Sequence, residues 1–250
     1  MSLRSAVTFL TRLPLPHTAS EHPTAELGAA TVYFPVVGAL IGALGAGVYW
    51  LASTLWPEPL AIILAVAATV LATGALHEDA LADFADGFGG GWSRDQVLAI
   101  MKDSRIGSYG VAALTLVLLA KLAALASLTR LDVVRALIAA HTIGRWAALP
   151  LLAGLPYVRD AGGTGAAFTG GVTPLRLTLA TLVTAAILAA TIGLRTIPTI
   201  IAATLVTAFL GWYAHRRIGG ITGDVLGATT QCVELATYLV LASRYISIPG

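Results

Sequence analysis

The sequence from Pro59 to Arg105 reads PLAIILAVAATVLATGALHEDALADFADGFGGGWSRDQVLAIMKDSR. Its first part is almost purely Ala, Leu, Ile and Val, which predicts a membrane-spanning helix from Pro59 to about Leu76. The part from His77 onward holds six of the thirteen acidic residues of the chain: Glu78, Asp79, Asp83, Asp86, Asp95 and Asp103. The sequence therefore predicts a membrane helix that leads into an acidic segment outside the lipid.

The composition of the whole chain supports a membrane protein. Hydrophobic residues make up 57% and charged residues 11% of the 250 residues, and the mean hydropathy is +0.83. Soluble domains carry about 25% charged residues. The net charge of +2 does not indicate a nucleic-acid partner, and the single cysteine, Cys232, cannot form an intrachain disulfide. We expect an all-α, polytopic transmembrane helical bundle that forms a single domain over residues 1–250.

Apolar runs of roughly twenty residues predict about seven spans. Their predicted ranges are 29–51, 59–76, 106–128, 133–155, 175–194, 198–213 and 225–245. In the first span, Gly38, Gly42 and Gly45 form a small-residue face that lets another helix approach closely. Before it, Leu3, Val7, Leu10 and Leu13 predict an amphipathic helix lying in the membrane interface. If the N-terminus is cytoplasmic, the acidic, Arg159 and Arg216 loops all fall on the cytoplasmic side.

The acidic segment carries a pattern that favours a metal ion. Asp79, Asp83 and Asp86 are spaced i, i+4 and i+7, so they share one face of a helix. Carboxylates stacked in this way repel one another unless a cation lies between them. Oxygen ligands without thiolates suit Mg²⁺ or Mn²⁺ rather than zinc. The candidate metal ligands are Glu78, Asp79, Asp83 and Asp86.

Glycines and basic residues follow the acidic pattern. Gly87, Gly89, Gly90 and Gly91 are expected to end the helix and to let backbone approach a phosphate, and Ser93 is expected to cap a second short helix. The candidate phosphate-binding cations are Lys102, Arg105, Arg159, Arg216 and Arg217. Carboxylates, a hard metal and arginines together favour phosphoryl or phosphodiester transfer.

Several polar residues near or inside the later spans have two interpretations. Asp224, in GGITGDVLGATTQ, either compensates a helix N-terminus or joins the acidic site. His141, Arg145 and Glu234 lie within predicted spans, where ionisable groups are costly. For these three, structural pairing and substrate contact both stay open.

Three blocks of the sequence resemble one known family. They are FLTRLPLP (Phe9–Pro16), TGALHEDALADFADGFGGGWSRDQVLAIMKDSRIGSYG (Thr73–Gly110) and GGITGDVLGATTQ (Gly219–Gln231). The chain is similar to the cobalamin synthase family, also called the adenosylcobinamide-GDP ribazoletransferases. The likeness extends over nearly the whole chain, with Ala80 and Phe84 as departures that remove no candidate ligand.

The resemblance implies a Mg²⁺-dependent, multi-pass enzyme of the bacterial cytoplasmic (inner) membrane, active late in cobalamin biosynthesis. It would join adenosylcobinamide-GDP to α-ribazole, or to its 5′-phosphate, and release GMP. The implied partners are these two small molecules and membrane lipid, with no nucleic acid; a homo-oligomer is left open.

The pattern and the resemblance together give a hypothesis for the site. Asp79, Asp83 and Asp86, with Glu78 or Asp103, would hold Mg²⁺ against the diphosphate, and Asp103 or Asp224 would accept the hydroxyl proton. The predicted catalytic residues are Asp83, Asp86, Asp103 and Asp224. The predicted substrate-binding residues are Lys102, Arg105, Arg159, Arg216, Gly89, Gly90 and Gly223.

Two other functions are weighed against this hypothesis. A CDP-alcohol phosphotransferase should carry D-G-x-x-D-x-x-A-R, but here Asp86-Gly87 is followed by Phe88-Gly89-Gly90. A cation transporter usually places its site near the bilayer midplane on broken helices. Most carboxylates here lie in a predicted loop, which favours the enzyme.

Overall fold

The computed structural model describes residues 3–13, 28–158 and 170–243, and this part of the chain is almost entirely helical. Its α-helices are α1 (Leu3–Leu10), α2 (Phe34–Ala52), α3 (Glu58–Thr73), α4 (Leu76–Gly90), α5 (Arg94–Ile100), α6 (Ser108–Ala126), α7 (Arg130–Gly154), α8 (Pro174–Ile192), α9 (Thr196–Ile218) and α10 (Gly223–Ala242). Short 3₁₀ turns precede α2 (Thr31–Tyr33) and α9 (Gly193–Arg195). The predicted all-α class is confirmed.

Five stretches of the described chain are long and apolar enough to cross a membrane. They are 28–52, α6, α7, the 45-residue stretch 174–218 that contains α8 and α9, and α10. The bent pair α3 and α4 gives a sixth if it counts as one span. The polytopic membrane bundle is therefore confirmed, and the predicted seven spans agree with it once the long stretch is divided.

Contacts with α7 show where that stretch divides. In α8, the Thr181 hydroxyl accepts a hydrogen bond from Trp146 near the end of α7. Arg195, after α8, lies 3.7 Å from Asp132 at the start of α7. In α9, a Cβ at Gly211 would again meet Leu151 at the end of α7. The two helices therefore run in opposite directions and form two passes.

Helix α7 lies at the centre of the bundle, and α2 packs closely against it. A Cβ at Gly38 would lie 2.1 Å from the carbonyl oxygen of His141, and one at Gly42 would lie 2.5 Å from that of Leu137. These distances are far below van der Waals contact, so the approach requires glycine at both positions. The predicted small-residue face is confirmed at Gly38 and Gly42.

The path between α3 and α4 differs from the prediction. The predicted second span continues to Leu76, but α3 ends at Thr73, and α4 departs at 87°. Gly74 (φ 63°) and Ala75 (φ 57°) both adopt the left-handed conformation, which ends one helix before the next begins. Helix α4 therefore lies across the bundle rather than along it.

The glycine-rich end of α4 agrees with the prediction in part. The predicted end of the helix at the glycines is confirmed for Gly90, its last residue, and for Gly91, its C-cap, whereas Gly87 and Gly89 lie inside α4. These two positions hold glycine for close packing. A Cβ at Gly87 would overlap Met101, and one at Gly89 would overlap the ring of Tyr109. The predicted N-cap at Ser93 is confirmed, since Ser93 and Gln96 form a capping box at the start of α5.

Polar connections meet at one face of the bundle, called the site face below. The Ile221 N–H donates to Pro156 and the Val158 N–H donates to Ile221, each at 2.9 Å. Arg94 Nε donates to the carbonyl of Ile218 at 3.0 Å, which ties α5 to the end of α9. The predicted convergence of the polar segments is confirmed for these connections. Helix α1 packs there through stacked rings of Phe9 and Phe34, with centroids 5.8 Å apart, and its interfacial position stays a prediction.

Candidate active site

A cavity of about 220 Å³ opens at the site face between α4, α7 and α10. Its apolar walls come mainly from α1, α2 and α7, and its polar groups come from α4, α7 and the start of α10. We call it the active-site cavity; it is lined by Phe9, Leu10, Phe34, Leu76, His77, Asp79, Ala80, Arg145, Ala148, Leu152, Tyr157, Gly223, Asp224, Leu226, Gly227 and Thr230.

Two carboxylates from distant parts of the sequence line this cavity. Asp79 is exposed in the first turn of α4, and Asp224 lies in the first turn of α10. Thr222 caps α10 by accepting a hydrogen bond from the Val225 N–H at 3.3 Å, and its hydroxyl donates to Asp224 Oδ2 at 3.3 Å. The cap fixes the position of Asp224. Of the predicted site residues, the structure brings Asp79, Gly223 and Asp224 together.

A buried guanidinium also lines the cavity. The Arg145 side chain is 2% exposed, and its Nη1 contacts both Glu234 Oε1 and His141 Nδ1. Arg145 Nε and His77 Nδ1 are buried, and neither has a hydrogen-bond partner within the described residues. Two residues of the cavity wall therefore each have a buried polar atom with unused hydrogen-bonding capacity.

Behind the cavity, Glu234 is the centre of a buried ionic cluster. Its Oε2 pairs with Lys121 Nζ at 2.6 Å, and its Oε1 lies 2.9 Å from His141 Nδ1. Lys121 also donates to Gln231 Oε1 at 2.5 Å. Gln231 Nε2 donates in turn to Glu78 Oε1 at 2.9 Å, which connects the cluster to α4.

The three aspartates that share one face of α4 have different surroundings. Asp79 lines the cavity, whereas Asp83 is half-buried one turn further along and is not part of the cavity wall. Asp86 is buried, and its oxygens accept the N–H groups of Gly107 (2.7 Å) and Gly110 (2.8 Å). Asp86 thus caps the start of α6, a role that the helical spacing did not indicate.

The predicted cluster of Lys102, Asp103 and Arg105 lies outside the cavity wall. Lys102 and Arg105 are exposed, and Arg105 Nη2 pairs with Asp103 Oδ2 at 2.6 Å. Hydrogen bonds from the Arg105 side chain and backbone lower the pKa of Asp103 to about 2. A carboxylate with this pKa and this partner is a poor proton acceptor at neutral pH.

The remaining predicted substrate-binding residues are not brought to the cavity wall. Gly89 and Gly90 lie in the last turn of α4, and Arg216 is exposed near the end of α9. Arg159 lies outside the described residues. Arg217 donates to the carbonyl of Gly91 at 2.7 Å and so ties α9 to the end of α4.

Residues that the site hypothesis left out also line the cavity, among them His77, Tyr157 and Thr230. His77 adjoins the acidic pattern, but a lone histidine carries no spacing signal. Arg145 and Glu234 did carry a signal, because ionisable residues inside a span are costly unless they are paired or functional. The sequence left their partners open. The structure pairs Arg145 and Glu234 with each other, places His141 in contact with both, and pairs Glu234 also with Lys121.

The carboxylates of the cavity match the ligands that Mg²⁺ uses in phosphoryl-transfer sites. Within the described residues, no three His, Cys, Asp or Glu side chains lie close enough together to hold a metal by themselves. Magnesium in phosphoryl-transfer sites is usually bound by one or two carboxylates, with water and substrate phosphates completing the shell. Asp79 and Asp224, on one cavity, fit that second arrangement.

Comparisons with known proteins agree with the sequence resemblance. A family model described as cobalamin-5-phosphate synthase matches residues 2–242. The adenosylcobinamide-GDP ribazoletransferase of Shewanella frigidimarina is 43% identical over 248 residues, which cover 97% of this chain and 94% of the relative. The enzyme of the same name from Leptothrix cholodnii is 43% identical over 248 residues, covering 94% and 92%. No solved structure shows a significant match. The chain therefore belongs to the cobalamin-5-phosphate synthase family and is an enzyme of the transferase class.

Proposed function

We propose that the chain is a Mg²⁺-dependent transferase that joins adenosylcobinamide-GDP to α-ribazole, or to its 5′-phosphate, and releases GMP. The substrates are those in the names of its relatives. One observation of this chain supports the proposal: Asp79 and Asp224, far apart in the sequence, line the same cavity as the buried Arg145. Carboxylates opposite a cation are what a phosphoryl-transfer site requires.

In the proposed reaction, a ribose hydroxyl of the nucleoside attacks the phosphorus attached to the aminopropanol arm of the corrinoid. A new phosphorus–oxygen ester bond forms, and the bond to the bridging oxygen of the diphosphate breaks. GMP leaves with the electron pair. The hydroxyl proton passes to a carboxylate of the site.

Asp224 is the better candidate for that carboxylate. It lines the cavity and is held by the Thr222 cap. Asp103 is committed to Arg105, which keeps the pKa of Asp103 at about 2. The proton acceptor must lie within hydrogen-bond reach of the hydroxyl, and that requirement favours a cavity residue.

Asp79 and Asp224, which line the same cavity, would hold Mg²⁺ together with water and the phosphates of the substrate. The ion, when bound, would polarise the phosphate oxygens and stabilise charge on the leaving GMP. Asp86 is less suited as a metal ligand, because both of its oxygens already accept backbone N–H groups. Glu78 keeps one buried oxygen, Oε2, without a hydrogen-bond partner within the described residues.

The size of the cavity decides which part of the substrates it holds. Its volume of about 220 Å³ is below the roughly 300–1,000 Å³ of pockets that enclose drug-sized ligands. A corrinoid cannot fit inside it. We infer that the reacting phosphates enter the cavity while the corrin ring stays at the site face.

We place the enzyme in the cytoplasmic membrane with its site face toward the cytoplasm. Basic residues of the described chain are concentrated at this face: Arg12, Arg94, Lys102, Arg105, Arg176, Arg216 and Arg217. Arg130, Arg135 and Arg195 lie at the opposite face, near Asp132 or Glu58. The larger number of basic residues at the site face agrees with the rule that cytoplasmic loops are enriched in Lys and Arg.

The test uses the full chain in detergent with adenosylcobinamide-GDP, α-ribazole and Mg²⁺, and it measures GMP release. We expect Asp79→Asn and Asp224→Asn each to lower kcat by about 10²-fold or more, as loss of a catalytic group does. Asp95→Asn is the matched control, because Asp95 is an exposed aspartate of α5. Near-normal turnover of the Asp79 and Asp224 variants at saturating Mg²⁺ would overturn the assignment.

A further inference from the structure

We propose that Arg145 and His77 form a buried anion-binding site in the wall of the active-site cavity and that this site takes a phosphoryl group of the substrate. The inference rests on the proposed function and deepens it. It moves the main phosphate contact from the exposed Lys102 and Arg105 to a residue inside the bundle.

The first argument is unused hydrogen-bonding capacity. Arg145 uses Nη1 for Glu234 and His141, while its Nε is buried without a partner within the described residues. His77 Nδ1 is in the same condition. Buried polar groups are nearly always hydrogen-bonded, so two such atoms on residues that line one cavity indicate a missing ligand.

The second argument is charge. Glu234 is the carboxylate that contacts Arg145, yet it also pairs with Lys121 at 2.6 Å. One carboxylate is therefore shared between two buried cations. Glu78, the other carboxylate beside this cluster, bonds to Gln231 rather than to Arg145. A buried charge is costly unless it is paired, so an anion in the cavity would neutralise the positive charge of Arg145 that the shared Glu234 leaves unbalanced.

The third argument is the start of α10. Gly223, the first residue of this 20-residue helix, lines the cavity beside Arg145. Helix N-termini carry partial positive charge and unpaired N–H groups, and they bind phosphate. The helix and Arg145 thus favour the same kind of ligand.

The carboxylates of the cavity narrow the class of anion. Asp79 and Asp224 would repel a bare anion, so a ligand of this cavity has to bring a divalent cation with it. Phosphate esters bind Mg²⁺ in this way. The phosphoryl group could belong to the diphosphate of the activated corrinoid or to the 5′-phosphate of the nucleoside, and experiment separates these sources.

The binding test uses inorganic pyrophosphate with Mg²⁺ as the probe and the full chain in detergent. Calorimetric titration is expected to show binding to the wild type and at least tenfold weaker binding to Arg145→Gln. Arg145→Lys, which keeps the charge but not the fork of donors, should lie between them. Arg135→Gln is the control, since Arg135 lies on the same helix but pairs with Asp132 at the opposite face. Retained circular dichroism shows that each variant is folded.

If Arg145→Gln does not fold, the pyrophosphate affinities of Arg145→Lys and His77→Leu test the inference in its place. Unchanged pyrophosphate affinity in both folded variants would overturn the inference. This measurement needs no turnover, so it stands even if the wild type releases no GMP and the proposed function fails.

Steady-state kinetics then identify the source of the phosphoryl group. A raised KM for adenosylcobinamide-GDP in Arg145→Lys assigns the site to the diphosphate. A raised KM for α-ribazole 5′-phosphate, with that for α-ribazole unchanged, assigns it to the nucleotide. Wild-type KM values for all three substrates, together with unchanged pyrophosphate binding, would contradict the proposal.

Discussion

Lys121 and Glu234 form an ion pair of 2.6 Å between α6 and α10, with side chains only 5% and 1% exposed. The pair lies in the interior of a membrane bundle, where charge is costly. Glu234 also contacts Arg145 and His141, so three side chains from two other helices converge on it. Removing one partner leaves charge that nothing else neutralises.

We therefore expect Glu234→Gln to lower the free energy of unfolding by about 3–5 kcal/mol, as loss of one partner does in buried ion pairs. Thermal unfolding in detergent measures the change. Thr237→Val is the matched control: Thr237 is as buried on the same helix, and its hydroxyl bonds the Val233 carbonyl of its own helix. A Glu234→Gln protein as stable as Thr237→Val would contradict the role of the cluster.

The second prediction concerns the cap on α6. Asp86→Ala removes the acceptor for the N–H groups of Gly107 and Gly110 and leaves both unsatisfied in a buried position. The expected loss is about 1–3 kcal/mol. It should appear in thermal unfolding without Mg²⁺ or substrate, which separates it from a metal-binding role. Asp95→Ala, at the surface of α5, should change stability little, and equal effects of the two variants would argue against the cap.

The third prediction concerns pH. Arg105 lowers the pKa of Asp103 to about 2, so the stabilising pair is present above the ordinary pKa of Asp and is lost only as the pH falls through about 2. Asp103 does not titrate between pH 5 and 8. Asp103→Asn should therefore leave the shape of the kcat/KM profile unchanged in this range. A shifted acidic limb would show that Asp103 acts as the base after all.

The fourth prediction tests the contact of α2 with α7. A Cβ at Gly38 would lie 2.1 Å from the His141 carbonyl oxygen, so Gly38→Ala must push the helices apart. We expect a loss of about 1–3 kcal/mol, the usual range for overpacking. Gly47→Ala, on the same helix, meets nothing within 4 Å and is the control. It should be neutral or stabilising by up to about 1 kcal/mol, and equal effects of the two changes would contradict the close approach.

Patterns among neighbouring residues predicted the structural features that depend only on those neighbours. Apolar runs predicted the spans, Ser93 predicted the N-cap of α5, and the spacing of Gly38 and Gly42 predicted a close helix contact. The bend at Gly74 and Ala75 was missed, because Ala75 is a good helix former that here adopts a left-handed conformation. Local propensity contains no signal for that.

The site was predictable only in part for a related reason. Asp79 stood out by its helical spacing with Asp83 and Asp86, and Asp224 stood out as an acid beside glycines; both line the cavity. The cap by Asp86 and the pairing of Lys121 with Glu234 depend on partners 21 to 113 residues away. One sequence without relatives cannot reveal such pairs, although it does show that an ion inside a span needs a partner.

The buried ionic cluster joins helices that are far apart in the sequence: Gln231 and Glu78, which connect it to α4, are 153 positions apart. While the protein is being made, α6 and α7 enter the membrane carrying Lys121 and Arg145 before the ribosome has reached Glu234. Their counter-charge arrives with the last described helix, which also brings Gly223 and Asp224 to the cavity. A nascent chain that lacks this helix therefore has neither the carboxylate that pairs with Lys121 and Arg145 nor a complete wall for the cavity, so one insertion event completes both.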